Sequence, residues 1–114
     1  MNRRAGLAIG WAAVAVVVYL SLTPAPPDSG IDGGDKLGHF LAYAGLTYWF
    51  GRFYFYRTHA AYALGFFAMG IALEFAQGAL GYRSLELADM AANTLGVAAG
   101  WGAAAVLALR GRKA

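Results

Sequence analysis

The sequence predicts an all-α integral membrane protein, a bundle of four transmembrane helices with both termini in the cytoplasm. Three observations lead there. The 114 residues are 60% hydrophobic and only 13% charged, about half the charged share of an ordinary soluble domain. The apolar residues fall into four long runs, each near the roughly 20 residues a helix needs to cross about 30 Å of hydrocarbon. The basic residues are distributed very unequally between the two sides that four alternating helices create.

The runs place helices near 5–23, 36–54, 59–80 and 86–109. At this length the chain makes one domain. The first helix, with its unbroken stretch Leu7 to Leu22, ends where Pro24, Pro26 and Pro27 remove backbone donors and disfavour further helix. Arg3 and Arg4 before an apolar run also fit a cleaved leader, but the only small-residue cut, after Ala25, would be followed directly by proline. The run therefore reads as an uncleaved anchor. A loop from Thr23 to Gly34 leads to the second helix, and the short segment Gly81 to Leu85 joins the third to the fourth.

Orientation follows from lysine and arginine, which short loops retain on the cytoplasmic side. Arg3, Arg4, Arg52, Arg57, Arg110, Arg112 and Lys113 fall on one side, against Lys36 and Arg83 on the other. All six acids, Asp28, Asp32, Asp35, Glu74, Glu86 and Asp89, share the half with the fewer basic residues.

Composition also excludes. The net charge of +3 comes in small groups between apolar runs and forms no stripe suited to nucleic acid. With no cysteine, disulfides, thiolate nucleophiles and cysteine metal sites are ruled out. Sixteen glycines allow close helix packing: Gly96 and Gly100 form a small-xxx-small pair, and Gly65 and Gly70 offer small surfaces on the third helix. Trp11, Trp49, Tyr48, Phe50, Phe53, Tyr54, Phe55 and Tyr56 read as interfacial belts and lipid-facing bulk, and His59 as an interfacial residue.

An ionisable group at membrane depth costs about 2.5–3.5 kcal/mol near a helix centre and therefore seeks a partner or water. Three helices carry such groups in stripes. Asp35, His39 and Tyr43 recur every fourth residue on the second helix, with Lys36 beside them. Glu74 and Gln77 share a face of the third, with Glu74 about 9 Å from its end. Asp89, Asn93, Gly96 and Gly100 line the fourth. All three stripes lie at one end of the bundle, so the economical arrangement has them face one another, with Lys36, Arg83 and His39 offsetting Asp35, Glu74 and Asp89. Arg83 can enter from its loop as a bidentate partner for a carboxylate or phosphate. Plainer roles compete. Asp28 and Asp32 suit loop solvation, Asp35 a helix N-cap, and Lys36 snorkelling to head groups. Glu74, deepest in an apolar run, is hardest to explain without a site.

Asp35-Lys36-Leu37-Gly38-His39-Phe40-Leu41-Ala42-Tyr43, followed by Glu74-Phe75-Ala76-Gln77 and then by Arg83, Asp89, Asn93 and Gly96, resembles the signature of the VanZ-like family, small bacterial membrane proteins named for an accessory protein that reduces susceptibility to teicoplanin. The resemblance spans residues 35 to 100. It implies a multi-pass protein of the bacterial cytoplasmic membrane and makes Asp35, Lys36, His39, Tyr43, Glu74, Gln77, Arg83, Asp89, Asn93 and Gly96 the functional set.

Two functions compete. One is an envelope protein whose outer-leaflet pocket holds a polar head group, with membrane lipids, a lipid-linked cell-wall precursor or a glycopeptide as partner. The other is an intramembrane enzyme with His39, Glu74 and Asp89 as candidate acids and bases and Arg83 stabilising an anion. Ser84 lacks a nucleophile elbow, and one histidine with two carboxylates makes a weak metal site, so no metal or cofactor is expected. Transport needs polar groups along a whole path, and the opposite halves of the helices are apolar.

Overall fold

The computed structural model describes residues 2–23, 34–53, 58–81 and 87–113, without the side chains of Asp35 and of residues 111–113. Asp28, Asp32, Arg57, Arg83, Ser84 and Glu86 lie outside the described residues. The described chain forms four helices, α1 (Arg3–Leu22), α2 (Gly34–Phe53), α3 (His59–Leu80) and α4 (Leu87–Lys113), and contains no strand.

Local chemistry sets the helix ends. Asn2 Oδ1 accepts from the Ala5 amide at 2.8 Å and so caps α1 two residues earlier than hydropathy suggests. Gly81 takes φ 83° after Leu80, the left-handed conformation that ends a helix at little cost only in glycine. α4 runs on to Lys113, four residues beyond the end that hydropathy suggests. α2 starts at Gly34, which puts Asp35 inside the first turn and not at the cap position, although a carboxylate there still complements the dipole.

α1, α3 and residues Leu87–Arg110 of α4 are long and apolar enough to cross a membrane. α2 is as long as α1 but is less apolar because of Asp35, Lys36, His39 and Arg52. It can tolerate this because it packs against all three other helices. Large apolar side chains cover the outside, among them Tyr19, Leu64, Leu87 and Leu95, each more than 60% exposed. A surface of this kind suits hydrocarbon and not water.

Each helix buries one stripe, which on α1 is Gly6 and Gly10. On α2 it is Tyr43, Leu46, Thr47 and Phe50. On α3 it is His59, Ala63, Phe66, Gly70, Glu74 and Gln77, and on α4 Asp89, Asn93, Gly96, Val97, Gly100 and Ala104. Apart from Thr47 and His59, the stripe is apolar over one half of the bundle and polar over the other.

The tightest pairing joins α2 and α4. A Cβ at Gly96 would strike the Phe40 carbonyl oxygen and lie 3.0 Å from the Ala44 amide, and one at Gly100 would strike the Ala44 oxygen. Farther along, Gly51 meets Ala104. Higher numbers on one helix meet higher numbers on the other, so α2 and α4 run parallel, their backbones brought together by small residues as expected in a membrane. α1 and α3 run antiparallel to them. Gly6 of α1 lies against the ring of Phe53 and Gly70 of α3 against Tyr43, so α1 begins at the end of the bundle where α4 finishes. Gly70 is thus in close contact, whereas Gly65 faces open space and plays no part in packing.

Several aromatic side chains depart from the lipid-facing expectation. Phe50 is 0% exposed and contacts Trp11, Tyr62 and Phe66 at centroid distances of 5.2–5.6 Å. Trp49 donates its indole N–H to the Gly6 carbonyl at 2.7 Å. His59 is buried, not interfacial. The Gly51 carbonyl can only accept, so His59 Nε2–H donates to it at 2.6 Å and ties the start of α3 to the end of α2.

Candidate functional site

At the polar end, the first turns of α2 and α4 lie side by side, a result of their parallel pairing. Lys36 Nζ donates to Asp89 Oδ1 at 3.2 Å. Its side chain remains 38% exposed while that of Asp89 is 8% exposed, so the lysine reaches the surface and pairs with the acid at once. One turn deeper, His39 Nδ1 lies 2.8 Å from Asn93 Oδ1. The amide oxygen only accepts, which places a hydrogen on Nδ1. His39 Nε2 then faces Asp89 Oδ2 at 3.7 Å, too long for a hydrogen bond and an ion pair only when the imidazole is protonated. Lys36, Asp89, His39 and Asn93 form one continuous polar group.

Tyr43 and Asn93 meet α3 at Gly70, where an added Cβ would lie 3.1 Å from Asn93 Nδ2 and 3.2 Å from the Tyr43 ring. The glycine gives both side chains room. One turn further out on the same face is Glu74, 1% exposed and close to Tyr43. Burying a carboxylate is costly without polar surroundings, to which Tyr43 of α2 contributes. No three His, Asp or Glu side chains among the described residues gather as a metal-ligand set.

Gln77, 1% exposed, turns away from this group. Its Nε2 donates to the Ser21 carbonyl of α1 at 2.6 Å, satisfying one of the carbonyls that a helix C-terminus leaves unpaired. The last turn of α1 therefore borders the site, a role the sequence did not reveal because the acceptor is a backbone atom in an otherwise apolar helix. Lys36, His39, Asp89 and Asn93 are in direct contact, and Tyr43 and Glu74 adjoin them across Gly70. Gln77 serves as a tie to α1. The Asp35 side chain and Arg83 lie outside the described residues.

The VanZ/LLP1 family model matches residues 6–108, a range that contains all four helices' buried stripes. The chain belongs to the VanZ/LLP1 family. No curated protein and no solved structure matches it. Within this VanZ/LLP1 chain, the polar group occupies the part of the matched region where four helices converge, and the apolar half below it supplies the packing. Gly96, one turn after Asn93, belongs to both: by admitting the α2 backbone it sets the distance across which Asn93 reaches His39.

Proposed function

We propose that this VanZ/LLP1 membrane protein acts in the bacterial cell envelope, with its polar end facing the outer leaflet and holding the head group of a lipid or lipid-linked cell-wall precursor. The observation that supports this reading best is the continuous group Lys36–Asp89–His39–Asn93 beside the buried Glu74. It offers a cation at the rim and a set of donors and acceptors behind it, the composition that recognises a phosphorylated or amide-bearing head group. An anion arriving at the rim would compete with Asp89 for Lys36.

Expression in a susceptible Gram-positive host is expected to raise teicoplanin tolerance modestly, and His39→Ala or Glu74→Gln is expected to remove that gain at equal protein level. No change on expressing the wild type would separate this chain from glycopeptide tolerance. Full tolerance in both variants would make the polar group structural. Identifying a lipid that co-purifies with wild type but not with Glu74→Gln would name the ligand.

A second reading, acid–base chemistry on an envelope lipid, is favoured by one detail. Asn93 holds His39 through Nδ1 and leaves Nε2 facing Asp89, an arrangement in which an oriented imidazole can accept a proton. Turnover of a purified precursor that is lost in His39→Gln would favour this reading over binding alone.

A further inference from the structure

Midway along the bundle, α1 and α2 leave between them an apolar groove of about 470 Å³ lined by Ile9, Ala13, Val16, Leu41, Gly45 and Trp49, among others. We propose that this groove holds one acyl chain of an anionic phospholipid, with the phosphate beside Arg52. The inference does not depend on the function proposed for the polar site.

The lining runs from residue 9 to 17 on α1 and from 41 to 49 on α2, about 12 Å of helix. A single extended hydrocarbon chain can lie along that length, with its apolar walls supplied by both helices. The groove exists because Gly45 is exposed and a Cβ there would have nothing within 4 Å.

Charge selects the head group. Arg52 lies seven residues beyond Gly45 and eleven beyond Leu41, spacings that return to the same helix face. Its guanidinium is held 5.7 Å from the Phe53 ring centre and the residue is exposed. Arg3 opens α1 at the same end, since the neighbouring Gly6 lies against Phe53 and accepts from Trp49. Arg52, less than one turn beyond Trp49, complements a phosphodiester joined to an acyl chain in the groove, and Arg3 adds positive charge at the same end.

Native mass spectrometry of the full, delipidated chain tests the proposal with phosphatidylglycerol and phosphatidylcholine added separately. A 1:1 adduct is expected to favour phosphatidylglycerol. Arg52→Gln should weaken it about fivefold, the effect of one basic residue beside an anionic surface, and Gly45→Leu, which fills open space, should remove it. Helical circular dichroism and elution volume should remain those of wild type in both variants. Equal adducts with the two lipids, or a phosphatidylglycerol adduct that survives Gly45→Leu, would overturn the proposal. So would a dimer that Gly45→Leu converts to monomer, because the occupant would then be a second copy.

Discussion

His39 of α2 and Asn93 of α4 are joined through Nδ1 and Oδ1 at 2.8 Å, and Gly96, one turn along α4, packs against the Phe40 backbone next to that histidine. Hydrogen bond and close helix crossing are thus parts of one arrangement. Asn93→Leu removes the acceptor and leaves His39 Nδ1 without its partner in a half-buried position, a change that costs about 1–3 kcal/mol. A lower melting temperature in detergent is expected for Asn93→Leu, with His39→Leu/Asn93→Leu less destabilised than the sum of the two single variants. Strict additivity would show that the bond contributes nothing to folding.

The glycines of α4 can be tested separately. Ala at Gly96 or Gly100 drives a methyl group into the α2 backbone, and a backbone segment cannot change rotamer to make room, so each is expected to cost about 1–3 kcal/mol. Gly65→Ala and Gly102→Ala meet no atoms within 4 Å and should be neutral or stabilising by up to about 1 kcal/mol through helix propensity. Thermal unfolding of the four variants gives the comparison. Similar melting temperatures for Gly100→Ala and Gly65→Ala would contradict the α2–α4 crossing.

These four glycines also show how far the sequence could be read. Gly96 and Gly100 were legible because a four-residue spacing on an apolar helix defines a face. Gly65 was not, because a lone small residue on a helix that is apolar all round does not say whether it faces lipid or protein. The same ambiguity hid Phe50 in the core and His59 beneath the end of α2. Helices bathed in hydrocarbon lack the polar outer face by which a soluble helix reveals its orientation. Lys36, His39, Glu74, Asp89 and Asn93 stood out because lipid penalises them on any other face. The tie from Gln77 to Ser21 needed the fold, since the acceptor is a main-chain carbonyl.

That tie predicts a local effect. Gln77→Met keeps the side-chain length and removes the donor to the Ser21 carbonyl of α1. Hydrogen exchange of the last turn of α1 is expected to rise while α2 and α4 keep their protection. Unchanged exchange there would mean that another donor takes over.

The orientation of the bundle decides what the polar group can meet. α1 begins and α4 ends at one end, and seven of the nine basic residues are assigned to that side, which the positive-inside rule retains in the cytoplasm. The polar group is then expected to face outward. The chain has no native cysteine, so single cysteines report cleanly, and α3 offers two exposed alanines at opposite ends, Ala60 and Ala79. In intact cells an impermeant maleimide is expected to label Ala79→Cys, whereas Ala60→Cys should react only after the membrane is opened. Reaction at Ala60→Cys alone would turn the group toward the cytoplasm. An outward-exposed glycopeptide or precursor could not then reach it, and the acid–base reading on a cytoplasmic lipid intermediate would replace the one proposed here.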